Sequence, residues 1–381
     1  MQAALALLAL ACVAADVGAE PAADVDVDVD VDVDVVAVGA DPRLHFVGAA
    51  ERTQEPGAML RFSSAGVRLR ARGTLRLVWA EQPVVIDGDV PPDPGGRFDA
   101  IIEAVDDGVM RRIVAVEAGV PLLVPSLSTV TVIKATEALF GARRLLAIEV
   151  GPIDGQAPLV DVAPAPPPTL LVLGDSWATG FGVRGDVPDQ DTGVAPGPTC
   201  PFTIETQDVR EAWPSIVGEG LGVDVAVVGW SGRGLLRDYE GDEATTTVPQ
   251  LWARSAVIPD SVAGVVVALG HNDGVTGVPD EDRFRAAWLA TVASLRERLG
   301  DGVTVVVLLP DFQDEAPAID RSAIFRRLFA VDGVTLIPEP TMNIGLGQGC
   351  VWHPGTRAHA DFARRLLPLL AGPLRAGASP H

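Results

Sequence analysis

Five short runs of branched aliphatic residues recur through the second half of this chain: Leu170–Leu173, Val223–Val228, Val265–Leu269, Val303–Leu309 and Val334–Ile337. Each is bounded by turn-forming residues and nearly free of polar side chains. An apolar run without alternation suits a strand buried on both faces, the situation of a parallel sheet covered by helices. Helical stretches lie between or after the runs. The clearest is Asp282–Leu299, where Phe284, Trp288, Leu289, Val292 and Leu295 share one face. Strands alternating with helices predict a doubly wound, flavodoxin-like α/β domain over residues 169–375.

Upstream the pattern changes to short β. Met59–Phe62, Val67–Ala71, Leu75–Trp79, Val84–Gly88, Ile113–Val116, Val130–Ile133 and Leu145–Val150 are separated by Gly, Asp and Pro turn signals. Many short strands at turn spacing predict a β-sandwich over residues 41–163. The run Pro164-Ala165-Pro166-Pro167-Pro168 is a stiff linker between the two domains. Residues Asp24 to Val35 alternate Asp and Val. A strand there would present a row of like charges, so the expectation is a solvated spacer within a linker over residues 21–40.

Charge narrows the partners. Among 381 residues, 51 Asp and Glu face 29 Lys and Arg, a net charge of −22. Such a surface repels phosphate backbones and anionic lipid headgroups, which argues against nucleic acid and membrane partners. The apolar segment at residues 1–20 reads as a signal peptide, and Ala9-Leu10-Ala11-Cys12 resembles a lipoprotein cleavage site that would leave a lipid anchor on Cys12. The expected location is secreted or cell-surface. Cys200 and Cys350 remain in the mature chain. Two cysteines in an exported protein suggest a disulfide, with two buried thiols as the alternative.

Four stretches fall at or just after the ends of predicted parallel strands: Gly174-Asp175-Ser176, Trp230-Ser231-Gly232-Arg233-Gly234, Gly270-His271-Asn272-Asp273 and Cys350-Val351-Trp352-His353-Pro354. Alone, each is ordinary: a helix cap, a turn, a hydrogen-bonded histidine. At one edge of one sheet they form a set suited to acyl transfer. Ser176 would be the nucleophile and His353 the base that takes its proton. The N–H groups of Ser176 and Gly232 and the Asn272 amide would meet the negative charge that develops on the carbonyl oxygen.

These blocks, in this order, resemble the SGNH/GDSL hydrolase superfamily and, within it, carbohydrate esterase family 2, the acetylxylan-esterase-like enzymes. The resemblance extends to Ser126–Gly141 (with Lys134-Ala135-Thr136-Glu137-Ala138), Cys200–Thr206, Trp230–Tyr239 and Gly349–Pro354. It implies a jelly-roll sandwich followed by an SGNH domain. The implied activity is removal of O-acetyl groups from polysaccharides such as xylan or glucomannan, with no metal and no cofactor. It maps the nucleophile to Ser176, the base to His353 and oxyanion donors to Gly232 and Asn272. It also pairs Cys200 with Cys350, stapling the His353 loop near Ser176.

The departures from the family pattern matter. An Asp usually stands three residues before the histidine; here Cys350 stands there. The similar esterases include Ser–His dyads in which a backbone carbonyl holds the imidazole, so the resemblance implies a Ser176–His353 dyad, with a carboxylate recruited from elsewhere in the chain as the alternative. Asp175 is expected to brace the turn. His271 replaces a common threonine. Trp230 and Trp352 are candidate platforms for sugar rings, whereas Trp177 is expected in the core. Two other functions remain: an esterase for bacterial surface glycans or lipids, and a carbohydrate-binding protein with a decayed esterase domain.

Overall fold

The five apolar runs form one parallel sheet. Its strands are Thr169–Gly174, Asp224–Gly229, Val262–Ala268, Val305–Leu309 and Val334–Pro338, in spatial order second, first, third, fourth, fifth. Alternate side chains serve opposite faces. Leu170, Val172, Val266 and Val306 pack with Trp213, Phe362 and Leu366, from the helices Trp213–Leu221 and Thr356–Gly377. Leu171, Leu173, Val265 and Val307 pack with Trp252, Trp288 and Phe325, from Val248–Arg254, Glu281–Leu299 and Arg321–Phe329. Both faces are thus apolar, which is why these strands lack a polar alternation. The strand order reverses beside Thr169–Gly174, so the crevice at the carboxyl ends of the first and third strands is the natural ligand site.

The structure is a computed structural model that describes residues 33–52, 55–80, 96–104, 111–117, 119–188, 194–257, 259–312 and 320–377. The expected signal segment, Cys12, the start of the Asp-Val repeat and the expected strand Val84–Gly88 lie outside the described residues. No described helix is long and apolar enough to cross a membrane.

The upstream strands form an antiparallel, strand-rich domain around Gly66–Trp79, Leu122–Lys134 and Arg143–Gly151. Three details differ from the sequence-based expectation. Val67–Ala71 and Leu75–Trp79 are one strand of 14 residues. Gly73 has φ +149 and the pairing register shifts between Ala71 and Gly73, so the glycine marks a bulge that bends the strand without ending it. The first strand, Asp34–Ala37, lies within the segment expected to be linker and pairs with Val150–Ala147. Its acid is neutralised by Arg43, 2.6 Å from Asp34, and Val36 is fully buried. Charge repulsion therefore ceases to oppose pairing at this end of the repeat. Finally, Leu289 is 44% exposed while Phe284, Trp288, Val292 and Leu295 are buried. The i, i+4 line from Phe284 runs through Trp288, and Leu289 is turned about 100° away from it.

The sandwich packs directly beside the crevice. The Ser63 hydroxyl donates to the Thr179 carbonyl at 3.3 Å, and the Val227 N–H donates to Ser64 Oγ at 3.1 Å. Buried Asp208 accepts from Arg97 of the sandwich at 2.9 Å and from Arg184 at 3.2 Å and Arg210 at 2.5 Å. These guanidinium groups hold its carboxyl below the usual range against the opposing effect of burial.

Candidate active site

Ser176 is the first residue of the helix Ser176–Thr179, two residues beyond the last strand residue, Gly174. The chain turns so tightly that a Cβ on Gly174 would lie 2.4 Å from Ala178 Cβ. Asp175 caps the helix by accepting from the Trp177 N–H at 3.1 Å. Asp175 is buried, and desolvation raises its pKa to about 7. The Ser176 N–H belongs to the first helical turn and has no intrahelical acceptor.

Ser176 Oγ lies 3.1 Å from His353 Nε2, and His353 Nδ1 lies 2.9 Å from the Val351 carbonyl oxygen. A carbonyl can only accept, so Nδ1 carries the proton and Nε2 presents its lone pair to the serine hydroxyl. The loop reaches this arrangement through two consecutive left-handed residues, Val351 at φ 52° and Trp352 at φ 61°. Neither is glycine, so the surrounding structure must hold the loop in place. Cys350 forms a disulfide with Cys200, its N–H donates to the Gly182 carbonyl at 2.8 Å, and the Gly349 N–H donates to the His353 carbonyl at 2.7 Å. The Phe181 ring lies 4.3 Å from the imidazole and stacks on Phe202, only two residues from Cys200. No carboxylate among the described residues hydrogen-bonds His353. Burial pushes the imidazole pKa down, and the Val351 hydrogen bond offsets part of that effect.

The opposite wall is a turn over Trp230–Arg233, closed by the Arg233 N–H to the Trp230 carbonyl at 3.2 Å. Gly232 occupies its third position at φ +76 while Ser231 keeps an ordinary negative φ, the pattern of a type II turn. This turn flips the middle peptide and sets the direction of the Gly232 N–H. Beyond it, the Asp273 carboxylate accepts the N–H groups of Leu235, Leu236 and Arg237 at 2.8, 2.7 and 3.1 Å. The Asn272 amide donates to the Arg233 carbonyl at 3.0 Å and stands 3.3 Å from Asp175 Oδ2. The longer contact leaves one amide hydrogen weakly engaged. For Gly232→Ala, we expect kcat for ester cleavage to fall about 100-fold with little change in KM. A methyl group there would sit 2.9 Å from Tyr239 Cδ1 and strain the turn. Steady-state kinetics on a small acetyl ester check this, and native kcat would remove the turn from the chemistry.

The walls enclose about 750 Å³. Trp352 is 63% and Tyr239 51% exposed at its rim. Trp230 is only 4% exposed, so the expected second indole platform is instead packed into the wall, with the Arg233 guanidinium over its ring. Trp177, expected in the core, is half-buried and lines the cavity. His271 stacks between Trp177 and Phe312, at 5.2 and 5.4 Å, and burial lowers its pKa. An adjoining chamber of about 400 Å³ shares Trp177, His271 and Trp352 and adds Phe312 and Arg321. Sequence reasoning missed Leu139, Phe181 and Tyr239 as lining residues. Tyr239 lies at the end of a recognised block, whereas Leu139 enters from the sandwich and has no local signal.

Residues 172–338 match the model of the GDSL-like lipase/acylhydrolase family. The chain is 24% identical over 251 residues, 61% of its length, to the cellulase/esterase CelE of Acetivibrio thermocellus, and spans 28% of that protein. Its fold is similar to that of a family two carbohydrate esterase from Cellvibrio japonicus, with a TM-score of 0.69, 18% identity, and coverage of 90% of this chain and 98% of that one. It is also similar to a family two carbohydrate esterase from Clostridium thermocellum in complex with cellohexaose, with a TM-score of 0.64, 19% identity, and coverage of 87% and 99%.

Proposed function

We propose that this chain, whose residues 172–338 are a GDSL/SGNH-type acylhydrolase domain, is a carbohydrate esterase that removes O-acetyl groups from polysaccharides such as xylan or glucomannan. The observation that carries the proposal is the Ser176–His353–Val351 chain of hydrogen bonds at the mouth of an aromatic-rimmed cavity. Ser176 Oγ attacks the acetyl carbonyl as its proton passes to His353 Nε2. The Nδ1–H bond to Val351 persists and strengthens once the ring is charged. The Ser176 and Gly232 N–H groups and the Asn272 amide receive the oxyanion. His353 then returns the proton to the departing sugar oxygen, leaving an acetyl-serine. Water, deprotonated by the same nitrogen, releases acetate and restores the serine.

Asp238, Glu240 and Asp242 line the cavity and make it unfavourable for anionic lipid headgroups, which supports a glycan substrate over a lipid. The intact serine–histidine contact supports an enzyme over a decayed binding module. The Cys200–Cys350 disulfide suits an oxidising, extracellular setting.

Acetate release from acetylated xylan and glucomannan, followed across pH, tests the proposal. The base must be neutral, and burial holds the His353 pKa below its ordinary value. The rate should therefore rise with pH through a midpoint below about 6.5 and level off by neutrality. The absence of acetate release from any acetylated glycan would overturn the assignment. A midpoint well above that value would replace the dyad with a histidine paired to a carboxylate.

A further inference from the structure

The block Lys134-Ala135-Thr136-Glu137-Ala138 belongs to the sandwich, and nothing in the acyl-transfer chemistry above uses it. Glu137 is nevertheless fully buried beside the crevice. Its Oε2 accepts three hydrogen bonds: from the Ser231 N–H at 2.8 Å, the Ser231 hydroxyl at 2.7 Å and the Thr179 hydroxyl at 3.2 Å. Ser231 precedes Gly232 in the type II turn. Thr179 ends the helix that begins at Ser176. One carboxylate oxygen thus joins the two walls between which the oxyanion would form.

The surroundings are built to keep this carboxylate in place. Lys134, also fully buried, donates to the carbonyls of Arg61, Thr136 and Glu137 at 2.8, 3.2 and 2.6 Å. These bonds from Lys134 fix the backbone that carries Glu137. Thr179 is held from its other end by the Ser63 hydroxyl, again from the sandwich. A bond from Glu137 to Ser231 on both its N–H and its hydroxyl restrains the φ and χ1 torsions of that residue. The following peptide, whose N–H is that of Gly232, then has little freedom to turn away from Ser176.

We propose that Glu137 is a positioning residue for acyl transfer, through which the sandwich domain sets the distance between the Gly232 N–H and the Ser176 hydroxyl. This rests on the esterase reading above. The sandwich is then part of the catalytic apparatus and not an independent appendage.

The test compares Glu137→Ala and Glu137→Gln in the full chain, with p-nitrophenyl acetate as substrate. Glutamine retains an acceptor oxygen for Ser231 and Thr179; alanine retains none. Glu137→Ala should lose about 10- to 100-fold in kcat with KM nearly unchanged, and Glu137→Gln should recover most of that loss. Equal losses in both variants, or native kcat in a folded Glu137→Ala protein, would overturn the proposal. If Glu137→Ala does not fold, Ser231→Ala and Thr179→Val carry the test, because each removes one hydroxyl arm and leaves the carboxylate. Each should lower kcat about 3- to 10-fold without altering KM, and native kcat in both would overturn the clamp. Failure of the underlying reading is distinguishable: the native chain itself would then show no ester cleavage that depends on Ser176.

Discussion

Ser176→Ala is expected to lower kcat by about 10⁴- to 10⁶-fold, and His353→Ala by a similar factor. The two losses should not add. Once either partner is gone, no nucleophile is being activated, and the second substitution removes nothing that still functions. The residual rate comes from the Gly232 and Asn272 donors and from binding in the cavity. Stability should barely change in Ser176→Ala, because Ser176 Oγ hydrogen-bonds only the imidazole among the described residues and a single net hydrogen bond contributes about 1 kcal/mol. KM should also hold, since the rim residues Trp352 and Tyr239 are untouched. Steady-state kinetics of both single variants and the double variant, alongside thermal unfolding, check the whole set. Activity in Ser176→Ala within tenfold of the native chain would exclude the serine mechanism.

Removing the disulfide is expected to affect both stability and turnover. Cys200 and Cys350 are separated by 150 positions, and closing so long a loop constrains the unfolded chain by up to about 5 kcal/mol. The Cys200→Ala, Cys350→Ala double variant should therefore unfold several degrees, up to about 10 °C, lower than the native chain. The effect on turnover has a separate cause. Cys350 stands where an acid would be expected to orient the histidine, and the only partner of His353 Nδ1 among the described residues is the Val351 carbonyl. That carbonyl is aimed by a loop with two left-handed non-glycine residues, Val351 and Trp352. Freed from Cys200, the loop can relax toward ordinary backbone angles and carry the carbonyl off the imidazole. A fall in kcat of about 10-fold or more is expected in the variant at temperatures where it remains folded. A variant that melts earlier yet turns over at the native rate would limit the bridge to stability alone.

The candidate catalytic blocks were legible because the proposed chemistry is carried by short local signatures. Each sits next to a strand that an apolar run announces, and a parallel sheet brings the carboxyl ends of its strands to one edge. Ser176, Gly232, Asn272 and His353 could therefore be named without coordinates, and all four line one cavity. The lack of an acid in the loop before His353 was equally plain, because it required only that Cys350 be read in place of an aspartate; whether a carboxylate reached it from elsewhere was not. Other features needed burial or distance, which a linear pattern does not carry. Trp230 and Trp352 look alike as tryptophans within candidate catalytic blocks. One is sealed into the wall because its turn folds inward, and the other stands in solvent because a left-handed backbone turns it out. Gly73 looked like a break between two strands and is a bulge within one. Asp34 looked like part of a repelling row and is paired with Arg43, nine residues away.

By itself, the sequence determined the order of short β strands before an alternating β/α pattern, the parallel sheet, and the candidate nucleophile and base, whereas the pairing of Cys200 with Cys350 was only what the family resemblance implied. The features the sequence determined depend on local hydrophobic period or on residue types at short spacing. Only the tertiary structure decided what holds the base and what joins the walls. The Val351 carbonyl reaches His353 through backbone torsions that no residue type announces. Glu137 meets Ser231 across 94 positions because the sandwich is packed against the crevice. The first is a matter of local backbone conformation and the second of long-range packing, and both bear on the proposed reaction at Ser176.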